Sequence, residues 1–245
     1  MTRIPHHTLL FAFGLLAGAD AKAQSPCADR IKDAFLQMQK DLERTPQRAL
    51  QSEMLITTVF TDPEKPTTRE RVMAASANDR SLFENGHFVL TEDTKHKVVV
   101  LSLDSSIQIY DQLDPEKPIS YTPYMESLGS TLARASSLTC RTMGLDNAGT
   151  FLVTMDLGHV NEGISRIEIS FDPQRRYPRT IIAHYLRGHE LSLKRTDILS
   201  YQLGRLDARL NVPVVELVMN GDELQPAYEG FELTDHRLTP TQHVD

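Results

Sequence analysis

From Gln51 onward most of this chain is written in period two, the spacing that puts alternate side chains on opposite faces of a strand. The clearest stretch is Arg166 to Phe171, where Ile167, Ile169 and Phe171 alternate strictly with Glu168 and Ser170. The same pattern puts Met54, Ile56, Thr58 and Phe60 on one face, and turns at Asp62 to Pro66. Strands are predicted at Val72–Ala77, Ser81–Glu84 and His87–Thr91, with Asn85-Gly86 as the hairpin between the last two. Val98 to Leu103 reads as a strand buried on both faces, continued by Ile107 and Ile109. Further strands are expected at Thr150–Leu157, Thr180–Leu186 and Glu190–Thr196. Val214–Met219 and Tyr228–Leu233, separated by Asn220-Gly221-Asp222, read as a last hairpin. Residues 199–210 are ambiguous: Leu199, Leu203, Leu206 and Leu210 have helical spacing, but Gly204 sits among them.

Two segments break this period. Ser25-Pro26 is an N-cap followed by proline at the first helical position, and Ile31, Phe35, Met38 and Leu42 then form one apolar stripe. A helix over 26–44 follows, ended by Thr45-Pro46. Thr122-Pro123 repeats the signature after a proline-rich connection from Asp114, and Met125, Leu128, Leu132 and Ala135 give a second helix. No long linker or repeat divides the rest, so a single domain over 24–245 is expected. About ten short strands with two amphipathic helices cannot be covered on both sides. The helices suffice to fill the inner side of one strongly bent sheet.

Residues 1–23 have the form of an export signal. Arg3 precedes the apolar run Leu9–Ala17, and Ala21-Lys22-Ala23 is a small-x-small cleavage site that leaves Gln24 first. The run is too short for a lasting membrane anchor, which needs about 20 residues. A periplasmic location is expected, where neither ATP nor NAD(P)H is at hand. The net charge is −7, and the signal removes more base than acid, so nucleic acid is excluded as a partner. The nearest thing to a basic stripe is Arg175, Arg176 and Arg179, read as a solvated hairpin.

The two cysteines, Cys27 and Cys140, leave three readings open. A disulfide would close a loop of about 100 residues, worth ~4.7 kcal/mol on the chain-entropy account. Lipid attachment at Cys27 is opposed by Pro26 just before it. Two free thiols are the third.

No local signature of catalysis is present. His189-Glu190 lacks the second histidine of a zinc helix, the other histidines are scattered, and no G-x-S-x-G, P-loop or G-x-G-x-x-G occurs. Asp104 and Asp111 flank a strand and read as turn and strand-end residues. The expectation is a protein that is not an enzyme, with no cofactor and no metal.

The order of elements resembles the LolA-like family, periplasmic carriers of outer-membrane lipoproteins and their relatives. The resemblance rests on the signal, the N-terminal helix (Asp29–Leu42), the strand meander from Met54 to Ile109 and the mid-chain helix (Tyr124–Ala135). It rests also on the strand closed by Phe171-Asp172-Pro173, the turn at Gly188, and Tyr228-Glu229-Gly230-Phe231. It implies an α+β, mainly β fold: a strongly curved antiparallel sheet forming an incomplete β-barrel, with two or three helices packed on its concave side. It implies a cavity for acyl chains, and so a carrier of a lipid or lipoprotein acyl chain, acting as a chaperone in protein transport. The chain departs from the family in having no tryptophan and in reading Val72-Met73-Ala74-Ala75-Ser76 where an aromatic-rich strand is usual.

On that fold Met54, Ile56, Leu101, Leu103, Ile167, Ile169 and Phe171 are expected to face inward and meet Phe35, Met38, Leu128 and Leu132. Together these are the candidate lipid-binding residues. The alternative is a non-enzymatic envelope sensor or structural protein that uses the same sheet to bind a protein or peptide by strand addition.

Overall fold

The computed structural model describes residues 26–111, 135–143, 150–161, 163–172 and 177–237. The one α-helix among them is α1 (Pro26–Glu43), and almost everything after it is strand. A first meander contains β1 (Leu50–Phe60), β2 (Thr68–Ala77), β3 (Arg80–Glu84), β4 (Phe88–Glu92), β5 (His96–Leu101) and β6 (Ser106–Asp111). A second contains β7 (Ser137–Met143), β8 (Thr150–Asn161), β9 (Ile164–Phe171), β10 (Pro178–Tyr185) and β11 (Leu191–Leu203). The C-terminal part has the two-residue strands β12 (Met219–Asn220) and β13 (Glu223–Leu224), short 3₁₀ turns, and β14 (Glu232–Asp235).

The first strand of the first meander meets the last strand of the second. β1 pairs antiparallel with β11 from Leu50↔Leu203 to Phe60↔Leu191, which makes one twelve-stranded sheet in the order β14-β6-β5-β4-β3-β2-β1-β11-β10-β9-β8-β7. The sheet does not close, since β14 and β7 are its edges among the described residues.

Directly paired residues share a face, so the register fixes which side each apolar residue takes. On one side, α1 lays Cys27, Ile31 and Ala34 over Val153, Met155 and Leu157 of β8 and Ile169 and Phe171 of β9, all at most 7% exposed. Burying each of the larger of these is worth about 1.5–3 kcal/mol. Cys27 and Cys140 are disulfide-bonded, with Cα atoms 5.4 Å apart, and this ties the start of α1 to edge strand β7. The far end of α1 is held by the Tyr177 hydroxyl, which donates to Asp41 Oδ2 at 2.7 Å.

Among the described residues the other side of the sheet is covered over the first meander, by residues 204–231. Gly204, at φ 77°, turns the chain out of β11, and its N–H donates to Ala49 O at 2.8 Å. Leu206 and Leu210 then pack on Ala75, Ala77 and Leu82. Val214, Val218 and Met219 pack on Val98, Val100, Ile107 and Ile109. Three polar ties fasten this strap: Val214 N–H to Asp93 Oδ2 (3.1 Å), Arg80 Nη1 to Leu210 O (2.9 Å), and Arg209 Nη1 to Glu84 Oε2 (2.9 Å).

Several expectations need correction. Val98–Leu103 is not one strand: β5 stops at Leu101, residues 102–105 turn with Ser105 at φ 47°, and Leu103 is 75% exposed on that turn. The Asn85-Gly86 hairpin forms, but Gly86 is not among the positive-φ glycines. Instead Asn85 Oδ1 accepts from His87 N and Phe88 N, at 2.9 and 2.8 Å. Leu199 and Leu203 belong to β11, whereas Leu210 lies in a 3₁₀ turn, so the ambiguous stretch is half strand and half strap. The last hairpin shrinks to β12–β13, and the strand after Tyr228 pairs in parallel with β6 as β14, which no meander provides. Strand β7 lies where sequence periodicity gave only a helix end. The second helix, the proline-rich connection, and Arg175 and Arg176 lie outside the described residues.

Candidate functional site

The side of the sheet on which α1 lies is apolar well beyond α1. Following the pairings outward, Ile169↔Ile181↔Thr196↔Ile56 carries this helix face from β9 to β1. Met54 then lies between Ile198 and Val72. Met54, Ile56 and Val72 form a buried cluster, joined by Ala74, Phe83 and Ile198. Beyond it the same face continues through Phe83↔Leu90↔Val99 and Phe88↔Leu101, with Phe83 and Phe88 stacked at 5.7 Å between ring centroids. Phe88, Leu90, Val99 and Leu101 are only half-buried and belong to none of the buried clusters among the described residues.

The expected lipid-facing residues divide accordingly. Met54 and Ile56 are together on the helix face of β1, Leu101 is on the same face of β5, and Met38 is buried on α1. Ile169 and Phe171 share the face and belong to the cluster under α1, with Ile167 packed against it. Leu103 has no part in it. The side chain of Phe35, and Leu128 and Leu132, lie outside the described residues. Sequence periodicity missed Val72, Phe83, Leu90 and Val99, because β2 to β5 carry apolar residues on both faces and only the register separates them.

One end of this face is polar. Ser76 is opposite Leu50 and Ser81, and Ser52 is opposite Ala74 and Tyr201, so four hydroxyl side chains cross β3, β2, β1 and β11 diagonally. Ser52 and Ser76 are 8% and 3% exposed. Ser52 Oγ makes a long bond to Ala74 O at 3.5 Å, whereas the buried Ser76 Oγ has no hydrogen-bond partner among the described residues. Burial, then the neighbouring Tyr177, pushes the Tyr201 phenol well above its ordinary value, so it stays protonated. Tyr177 packs edge-on against it at 5.5 Å.

The side of the second meander opposite α1 has a different chemistry. A cleft of about 440 Å³ is lined there by Ser170, Arg179, Thr180, Arg195, Asp197 and Leu199, among others. Asp197 is already bonded to Arg195 at 2.7 and 2.8 Å and to Thr180 Oγ1 at 3.0 Å, and Arg195 holds its carboxyl below the usual range. Among the described residues no three His, Cys, Asp or Glu side chains are grouped to hold a metal ion. His189 stacks on Tyr185 at 4.5 Å and accepts from Leu191 N, which is a turn-building role. No described helix is long and apolar enough to cross a membrane.

No protein-family model and no curated protein matches the chain. Among solved structures it is similar to an uncharacterized conserved protein from Thermus thermophilus, at 9% identity and TM-score 0.47, over 84% of this chain and 98% of that one. It is also similar to a LolA superfamily protein from Nitrosomonas europaea, at 10% identity and TM-score 0.32, over 74% of this chain and 98% of that one. A third is a chain of the MucA/MucB complex of Pseudomonas aeruginosa, at 14% identity and TM-score 0.39, over 75% of this chain and 60% of that one. The family that the sequence resembles is thus among the structural neighbours.

Proposed function

We propose that the protein is an exported carrier that holds an acyl chain of a lipid or lipoprotein against the helix face of the first meander. In this reading residues 1–23 direct export and are removed, and 24–245 work in the periplasm as one domain. The observation that carries it is the half-buried apolar run Phe88, Leu90, Val99 and Leu101, continuous with Met54, Ile56 and Val72 yet outside every buried cluster of the described residues. Apolar area left unburied costs about 25 cal/mol per Å², and an acyl chain recovers about 0.8 kcal/mol per CH₂ it buries. Release then needs no nucleotide, only an acceptor that buries the chain equally well.

The test is binding of diphenylhexatriene, a fluorescent hydrocarbon, by the wild type and by Val99→Asn and Leu101→Asn. Uptake should fall about tenfold, as expected for losing about 1.4 kcal/mol of apolar contact, while the melting temperature moves by only a few degrees. Unchanged uptake would sink the carrier reading. It would turn attention to a protein or peptide partner added along the open β7 edge.

A further inference from the structure

We infer that the ligand of the helix face has a neutral hydrogen-bonding head, and that Ser76 receives it. This rests on the acyl-chain reading above and adds to it a polarity and a direction. Buried hydroxyls in folded proteins almost always have a partner, so one without any among the described residues calls for a group that arrives from elsewhere. Ser76 Oγ is such an atom, on a residue 3% exposed. The pairings put it on the ligand side of the sheet, next to Leu50 and Ser81 and one residue pair from Ser52.

The surrounding pattern has a direction. Along β2 the helix face runs Ser76, Ala74, Val72 and then Glu70; along β1, after Leu50, it runs Ser52, Met54, Ile56; along β3, Ser81 and then Phe83; along β11, inward of Leu203, Tyr201 and then Ile198. Four neighbouring strands therefore change from hydroxyl to hydrocarbon in the same sense, over a rise of about 13 Å from Ser76 to Val72. An amphiphile laid along them has its head at Ser76 and Ser52 and its chain over Met54, Val72 and Phe83.

The head must be uncharged. Ser76 offers one donor and two acceptor lone pairs in a site shielded from water, where an ion without a counter-charge is strongly disfavoured. Asp41, the carboxylate tied to this end through Tyr177, already accepts from Tyr177 and Gln37. An ester carbonyl or a hydroxyl meets these demands, and a free carboxylate or phosphate does not.

The experiment measures the full-length protein's affinity for 1-monooleoylglycerol and for diphenylhexatriene, a hydrocarbon without a head. Ser76→Ala should weaken monooleoylglycerol about fivefold, within the span of one net hydrogen bond. It should leave diphenylhexatriene unchanged and not lower the melting temperature. Ser76→Cys, which keeps the volume and weakens the bond, should move the same way. Unchanged monooleoylglycerol affinity overturns the inference, the hydroxyl then being served by water alone. Equal loss for both probes overturns it too, because Ser76 would act through packing. If the wild type binds neither probe, the carrier reading itself has failed.

Discussion

Gly163 shows how narrowly some single positions are fixed. Its φ is +81°, and a Cβ built on it would lie 2.5 Å from His189 Cδ2, an imidazole held by its stack on Tyr185 and its bond from Leu191 N. Gly163→Ala should cost roughly 1–3 kcal/mol from backbone strain alone, read as a lower midpoint in urea. Adding His189→Ala should restore only the part due to the clash, because the dihedral penalty remains. The contact between Gly163 and His189 joins residues far apart in the chain and has no sequence trace. Leu103 is the opposite case. Leu101 and Leu103 keep the period of a strand, but the flanking Ser102, Asp104 and Ser105 are a better turn than a strand, and the turn wins.

Among the elements, the C-terminal strap was the least legible. Its residues show no sustained period, because each 3₁₀ turn contributes one or two apolar side chains to a sheet face built far earlier in the chain. The parallel pairing of β14 with β6 is also not a local property. Helix α1 and the long alternating strands were legible, since their own periodicity decides them. The strap depends on Asp93. Burial pushes its carboxyl up, but backbone N–H groups of Lys95, His96 and Val214 together pull it lower still, so it ends below its ordinary value. A depressed carboxyl contributes stability that is present above its unfolded pKa, about 3.9, and is lost as pH falls through the folded value. Asp93→Ala should cost about 2 kcal/mol at neutral pH, leaving buried N–H groups unpaired. Asp93→Asn should lose less stability than the wild type between pH 6 and pH 3, measured by denaturant midpoints at both. Equal acid losses would show that Asp93 does not couple the strap to pH.

For the whole molecule, the two meanders are covered on opposite faces, α1 lying on one side of the second and the strap on the other side of the first. Among the described residues what remains apolar and without such a cover is the helix face of the first meander, so the candidate site follows from how these covers are distributed. The β1–β11 seam joins the two meanders, bringing together residues from Leu50↔Leu203 to Phe60↔Leu191 that are roughly 130 to 150 apart in sequence. Seams of such separation form slowly, because the loop must close before any contact rewards it. The Cys27–Cys140 bond gives the chain a shorter route, from β1 back to Cys27, across the bridge, and on from Cys140 to β11. That path is about 90 residues, and on the (3/2)RT ln n scaling the saving is about 0.5 kcal/mol, or roughly twofold in closure. Refolding from denaturant should therefore be about twice as fast with the disulfide intact as in the Cys27→Ser/Cys140→Ser variant, provided the seam forms in the transition state. The variant should also be less stable, by up to ~4.7 kcal/mol on the entropy account. Equal refolding rates with a large stability loss would place seam formation after the barrier, and the loss would then show as faster unfolding.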